Sequence, residues 1–247
     1  MSRTILPRTI FLAGAAGAIG APLTRLLLRA GHRVVGTTRT PARAEALRKL
    51  GVEPVVVDVF ERDALIAAVT AARPEIVIHQ LTDLPPALDP ARMPDFVPRN
   101  ARIRREGTAN LVAAALAAGA RRIIAQSIAW VYAPGPLPHA ETDPLDHGAE
   151  GPGAVSVQGV IALEDAVLQA PIEGVILRYG YLYGPATGSD APRRPMSVHV
   201  DAAAQAALLA IDHGRPGAYN VAEASAELST TRALDELGWR ADFRLVA

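Results

Sequence analysis

Seven residues near the start of the chain, Gly14-Ala15-Ala16-Gly17-Ala18-Ile19-Gly20, have the spacing of a turn that cradles phosphate. Each glycine has a physical task. Gly14 permits a tight exit from a strand, Gly17 lets the backbone approach a pyrophosphate, and Gly20 lets a helix pack close to a sheet. Gly14, Ala16, Gly17, Ala18 and Ile19 are the cofactor-binding candidates, and the free N–H groups and positive dipole end at the helix start favour the phosphate charge. A dinucleotide is the expected ligand, and the next segment bears on which one. An acid after the second strand would grip a ribose 2′-hydroxyl and favour NAD. The segment reads Gly36-Thr37-Thr38-Arg39-Thr40, without an acid, and Arg43 follows one helical turn later. Thr38, Arg39 and Arg43 are therefore the candidates for a 2′-phosphate, and NADP is expected over NAD. Asp58 and Val59 would lie at the adenine, although an Asp there serves equally well as a turn residue.

These residues need a scaffold, and the sequence supplies strands alternating with helices. Apolar runs at 9–13, 33–38, 53–59, 76–80, 121–127, 174–179 and 218–221 read as strands. Helical periodicity predicts helices at 18–30, 40–50, from Asp63 as cap to 73, 99–118, 156–169, 201–213 and 229–237. The Pro- and Gly-rich stretch 133–154 reads as loop. Short apolar strands between helices predict a Rossmann-type α/β fold, a doubly wound parallel sheet covered on both faces. The whole chain, 1–247, is expected to be one domain, with a reduced substrate lobe over 180–247.

Composition narrows the function. Lys plus Arg and Asp plus Glu are both 25, so no basic excess points to nucleic acid or an anionic membrane. Half the residues are hydrophobic, which excludes a disordered chain. Cys is absent, and the six His show no tight pair, so no metal site is expected. Residues 1–21 superficially resemble a signal peptide, but the glycine spacing favours a strand entering a turn. No run reaches the ~20 apolar residues that span a bilayer. A cytoplasmic location is expected.

Six motifs, in order, resemble the NAD-dependent epimerase/dehydratase branch of the extended short-chain dehydrogenase/reductase superfamily. They are GAAGAIG at 14–20, Val57-Asp58-Val59, Gly107-Thr108-Ala109-Asn110-Leu111, Leu177 to Pro185, Val198-His199-Val200-Asp201 and Ala218-Tyr219-Asn220-Val221. The resemblance implies a cofactor across the carboxyl ends of the strands. Gln80, Leu81, Thr82, Ser127 and Tyr179 would then line its nicotinamide side. It also implies a homodimer through helices 99–118 and 156–169, with Val112, Leu116, Leu163 and Val167 as apolar candidates or as core.

The departures from the family are equally specific. Its Tyr-x-x-x-Lys pair falls on Ser156 and Val160 when Glu164 sets the register, and Lys49 is the only lysine in the chain. Its Ser/Thr position falls on Ser127 or Ile128. Only ten residues, 186–195, separate Pro185 from Met196, so little lid is expected. His199 reads as structural and Arg193-Arg194 as solvated. Two readings stay open: an NADP(H)-dependent oxidoreductase acting on an unknown small molecule with non-standard catalysis, and a catalytically silent NADP(H)-binding redox sensor. An S-adenosylmethionine enzyme is a third, disfavoured by Arg39 and the six motifs.

Overall fold

The computed structural model describes residues 7–246, so the start of the leader-like segment lies outside the described residues. The apolar run TIFLA forms strand β1 (Thr9–Ala13), and the glycine turn leads into helix α1 (Gly20–Arg29). Strand β2 (Arg33–Thr38) follows. Thr40 then caps α2 (Pro41–Lys49), its hydroxyl accepting from the Arg43 N–H. Strand β3 (Glu53–Val56) is shorter than expected. It ends where the chain must turn, so Val57, Asp58 and Val59 form the loop beyond it. Helix α3 (Arg62–Ala72) begins one residue before Asp63, which therefore sits in the first turn and caps nothing. Its carboxylate there still complements the helix dipole.

After β4 (Ile76–His79), the helix expected at 99–118 proves longer and interrupted. It starts as α4 (Met93–Arg102), passes through a π-helical turn at Ile103–Gly107, and resumes as α5 (Thr108–Ala117). Strand β5 (Arg122–Ile128), helix α6 (Ala154–Leu168) and strand β6 (Glu173–Tyr179) follow. Two short strands, β7 (Tyr181–Tyr183) and β8 (Ser197–His199), then pair in parallel outside the main sheet, a feature the periodicity did not reveal. Helix α7 (Val200–Leu209) and strand β9 (Gly217–Val221) complete the alternation. The last helix is only a π-helical turn, Ala233–Leu237.

The main sheet has seven strands in the order β3-β2-β1-β4-β5-β6-β9, and every pair is parallel. The fold is therefore the expected Rossmann-type doubly wound sheet. Strand order reverses between β1 and β4, and ligands of such sheets bind at that crevice. One face packs α1 and the alanine-rich α7. The other packs α3, α5 and α6 through Leu65, Val69, Leu111, Leu163 and Val167. Of the four residues considered for a dimer face, Val112, Leu163 and Val167 belong to this core; Leu116 remains exposed. Among the described residues, no helix is long and apolar enough to cross a membrane, and no acid/His cluster could hold a metal.

Candidate functional site

The glycine turn sits at the crevice, and its three glycines are not equivalent. A Cβ at Gly14 would lie 2.6 Å from the Gln80 carbonyl oxygen, and φ there is +93°. A Cβ at Gly20 would lie 2.0 Å from the Gly14 carbonyl oxygen. The protein's own packing thus demands glycine at both. At Gly17 a Cβ would meet only the Gly14 oxygen, at 3.4 Å, an ordinary contact. Gly17 and Ala16 are exposed, so the free space lies on the outer side, where a pyrophosphate would approach. In the turn the Gly17 N–H already donates to the Gly14 carbonyl, and in the first turn of α1 Ala21 and Leu23 donate to the Gly17 and Ile19 carbonyls while Pro22 has no N–H, so the N–H groups of Ala18, Ile19 and Gly20 are the ones left for a ligand. The Ile19 side chain is buried, leaving its backbone for a ligand. The cradle fits a dinucleotide.

Beyond β2, Thr38 is buried and its hydroxyl accepts from the Thr40 N–H at 3.3 Å. Arg39 and Arg43 are exposed beside the N-terminus of α2. Asp58 Oδ1 accepts from the Phe60 N–H at 3.0 Å, so the residue builds a turn while Oδ2 stays available. Val59 is tied down by its carbonyl, which accepts from Asn110 Nδ2 at 3.0 Å.

On the nicotinamide side, Gln80 is buried, and its Nε2 donates to the Tyr179 hydroxyl at 3.4 Å. Its Oε1 is buried without a partner, an acceptor that a bound group would satisfy. The Leu81 carbonyl accepts from Gln126 Nε2, and Thr82 is exposed. Burial pushes the Tyr179 phenol far above its ordinary pKa, against the smaller opposing effect of Gln80, so it stays protonated at neutral pH.

Ser127 is buried near the end of β5. Its hydroxyl donates to Glu164 at 2.6 Å inside a buried network, so its proton is already engaged. Arg178 grips the same carboxylate with Nε at 3.0 Å and Nη2 at 2.7 Å, and donates to the Tyr132 hydroxyl. Tyr132 in turn donates to Asn220. Val160 is fully buried with Ile128, Val131, Val157 and Ile161. The Ser156 carbonyl accepts from Arg104 Nη1 at 3.1 Å. His199 caps α7 through Nδ1, which accepts from the Asp201 N–H at 3.1 Å, a structural role.

Three features escaped sequence reasoning. Trp130 stacks on Tyr181 with centroids 4.1 Å apart, and Arg194 covers Tyr181 at 4.9 Å. Beside them lies an open cleft of about 280 Å³ lined by Trp130, Tyr132, Leu137, His139, Met196 and Glu227. An aromatic directly after a strand end was the available signal. Arg104 and His79 carried none, because nothing local distinguishes an inward Arg or His. His79 is buried, its Nδ1 accepting from the Leu81 N–H and its Nε2 paired with Thr108 Oγ1.

Burial first, and then the Arg104 charge, lower His79 from 6.5 to about 4. The native ring therefore resists protonation more than the unfolded one. Its contribution is complete above pH 6.5 and is lost as pH falls toward 4, about 3 kcal/mol in all. Urea unfolding at pH 7 and pH 4 should show that loss in the parent protein. A His79→Gln variant should lack this part of the pH dependence; an unchanged slope would assign it to other groups.

The comparisons with known proteins agree with this geometry. Residues 10–198 match the NAD dependent epimerase/dehydratase family. The chain belongs to this family. A Streptomyces relative, 3-diazoavenalumate denitrifying reductase, is 46% identical over 181 residues, 72% of this chain and 58% of that protein. The chain thus matches somewhat over half the length of that relative. The fold resembles UDP-glucose 4-epimerase of Thermotoga maritima, with TM-score 0.74, 17% identity, and 96% and 94% of the two chains covered. It also resembles UDP-glucuronic acid 4-epimerase of Bacillus cereus, solved with UDP-glucuronic acid and NAD, with TM-score 0.75, 16% identity and 96% and 95% covered. These two likenesses concern the fold.

Proposed function

We propose that this member of the family is an NADP(H)-dependent reductase acting on a small, activated acceptor without a tyrosine–lysine acid. One observation carries the reading: an intact dinucleotide cradle occurs in a chain whose α6 has Ser156 and the fully buried Val160 where the family has its tyrosine and lysine. The Streptomyces reductase supports the reaction class. Bound NADPH would supply a hydride. The chain's own contribution is then to hold the dinucleotide at residues 14–19 and to orient its nicotinamide end against the hydrogen-bonded Gln80–Tyr179 pair. An acceptor that is already electrophilic needs little help from a general acid. The open cleft at Trp130 suits a small apolar group better than a nucleotide sugar. The silent redox sensor differs only in lacking turnover.

Turnover separates these two readings, and dinucleotide binding by calorimetry tests the cofactor preference. NADPH should bind more tightly than NADH. Arg39→Ala should weaken NADPH by about 1.5–3 kcal/mol, the size of a charge-assisted hydrogen bond, and leave NADH unchanged. Gly17→Ala should weaken both and spare the melting temperature, because no packing inside the protein requires that glycine. Equal affinity for NADH and NADPH in the parent protein would refute the NADP reading.

A further inference from the structure

The loop between β5 and α6 is pinned at one point to the segment that follows β9. The His139 N–H donates to the Glu227 carbonyl at 2.9 Å, and the Ser229 N–H donates to the His139 carbonyl at 2.8 Å. These bonds place the His139 and Glu227 side chains on the wall of the cleft of about 280 Å³ at Trp130.

The His139 ring is held in two directions. Its face stacks on Tyr132 with centroids 5.0 Å apart, and the Tyr132 hydroxyl is fixed in turn by Arg178 and Asn220. Its edge is set by Nδ1, 3.0 Å from Asp143 Oδ2. A carboxylate only accepts, and this oxygen already accepts from the Ala140 N–H at 3.2 Å. Nδ1 therefore carries the proton, and Nε2 of the neutral ring is left as a lone-pair acceptor.

The cleft thus offers acceptors and little else that is polar. Among the described residues, nothing donates to His139 Nε2 or to the Glu227 carboxylate. The Tyr132 hydroxyl has spent its proton on Asn220, which leaves the Trp130 indole as the one side-chain donor of the wall. Ala129, Leu137 and Met196 are apolar. Trp130 is 38% exposed, with one face on Tyr181, and presents a flat apolar surface. The volume is just below the ~300–1,000 Å³ of small-molecule pockets, room for about one ring. A ligand that fits must bring apolar area and its own hydrogen-bond donor. The Glu227 carboxylate disfavours an anionic group at that end, and a phenol O–H is a stronger neutral donor than an aryl amine. The cleft also lies close to the expected hydride: the Ala129 N–H donates to the Tyr179 carbonyl at 2.9 Å, at the strand ends beside Gln80.

We propose that this cleft binds a single aromatic ring bearing a hydroxyl group, with the hydroxyl donating to His139 Nε2 and the ring lying against Trp130. This deepens the reductase reading by naming the class of its acceptor, and rests on that reading only for the hydride.

The test titrates the full chain with 4-fluorophenol and with 4-fluoroanisole, whose methyl group removes the donor, each followed by its fluorine resonance at pH 8. The phenol should bind about threefold to tenfold more tightly, the range of a net neutral hydrogen bond. H139N keeps an amide where Nδ1 stands and places nothing at Nε2, so it should erase the preference. H139Q reaches the Nε2 position and should retain part of it. Trp130→Ala should weaken both compounds. The proposal is overturned by equal affinities in the parent protein, by binding of neither compound at millimolar concentration, or by a preference that survives H139N. Should H139N fail to fold, H139F, which keeps a ring on Tyr132, takes its place with the same criterion. The titration needs no dinucleotide, so a failure of NADPH to bind counts against the reductase reading alone.

Discussion

Replacing Glu164 with leucine should destabilise the protein by about 3–5 kcal/mol, because it strands a buried guanidinium. Arg178 and Glu164 pair at 2.7 Å with side-chain exposures of 5% and 2%. Burial alone would lower the Arg178 pKa, but the Glu164 carboxylate and Tyr132 outweigh it and hold the group above its ordinary value. Without Glu164 that compensation disappears, and the Ser127 hydroxyl loses its acceptor as well. For a chain of this size, each kcal/mol moves the melting temperature by about 2–4 °C, so a fall of roughly 6–20 °C is expected. Replacing both partners, Glu164→Leu with Arg178→Met, should recover most of the loss, since no charge is then left buried. Thermal unfolding of the single and double variants checks this. A single variant within about 1 kcal/mol of the parent would mean water reaches Arg178 and would open the network to a solvent-linked role.

The sequence made legible whatever local chemistry enforces. Gly14 and Gly20 stand where a Cβ would collide with backbone, and the strand, turn and helix around them follow directly. The Thr40-Pro41 start of α2 is likewise local, a hydroxyl acceptor followed by a residue that lacks the N–H. What escaped depends on distant neighbours. Strands β7 and β8 have three residues each and pair across a gap of thirteen residues, too short for a period to register. The beginning of α4 was hidden by Pro94 and Pro98, which usually signal a break; here Pro94 falls in the first turn, where a missing N–H is harmless. The six helical residues gained there position the π turn, and with it Arg104. Ser127 was placed on the nicotinamide side by the family resemblance; what the resemblance did not reveal is the register Ser127↔Arg178, which sets it beside the cation that orients Glu164. Strand position alone does not say which face a side chain serves.

Reduction of simple ketones or aldehydes by NADPH should be slow, about 10²–10⁴-fold below what a positioned general acid sustains. Hydride addition to an unactivated carbonyl leaves an alkoxide that must be protonated as it forms. The nearby hydroxyls do not supply that proton. Tyr179 is held protonated by burial, Ser127 donates to Glu164, and Ser156 is an aliphatic alcohol with no base behind it. Val160 makes the deficiency hard to repair by grafting. It is fully exposed to apolar neighbours and to no water, so Val160→Lys would bury an ammonium among Ile128, Val131, Val157 and Ile161. That should lower the lysine pKa sharply and cost several kcal/mol of stability. The double variant Ser156→Tyr/Val160→Lys is therefore expected to melt earlier than the parent and to gain no ketone reductase activity. Turnover is read as NADPH oxidation with cyclohexanone and benzaldehyde across pH 6–9, where the parent should stay below about 0.1 s⁻¹ against typical enzyme values of about 1–10³ s⁻¹. Rapid turnover of either compound, lost on replacing one hydroxyl by its deoxy counterpart, would place a competent acid at the site and remove the reason for expecting an activated acceptor.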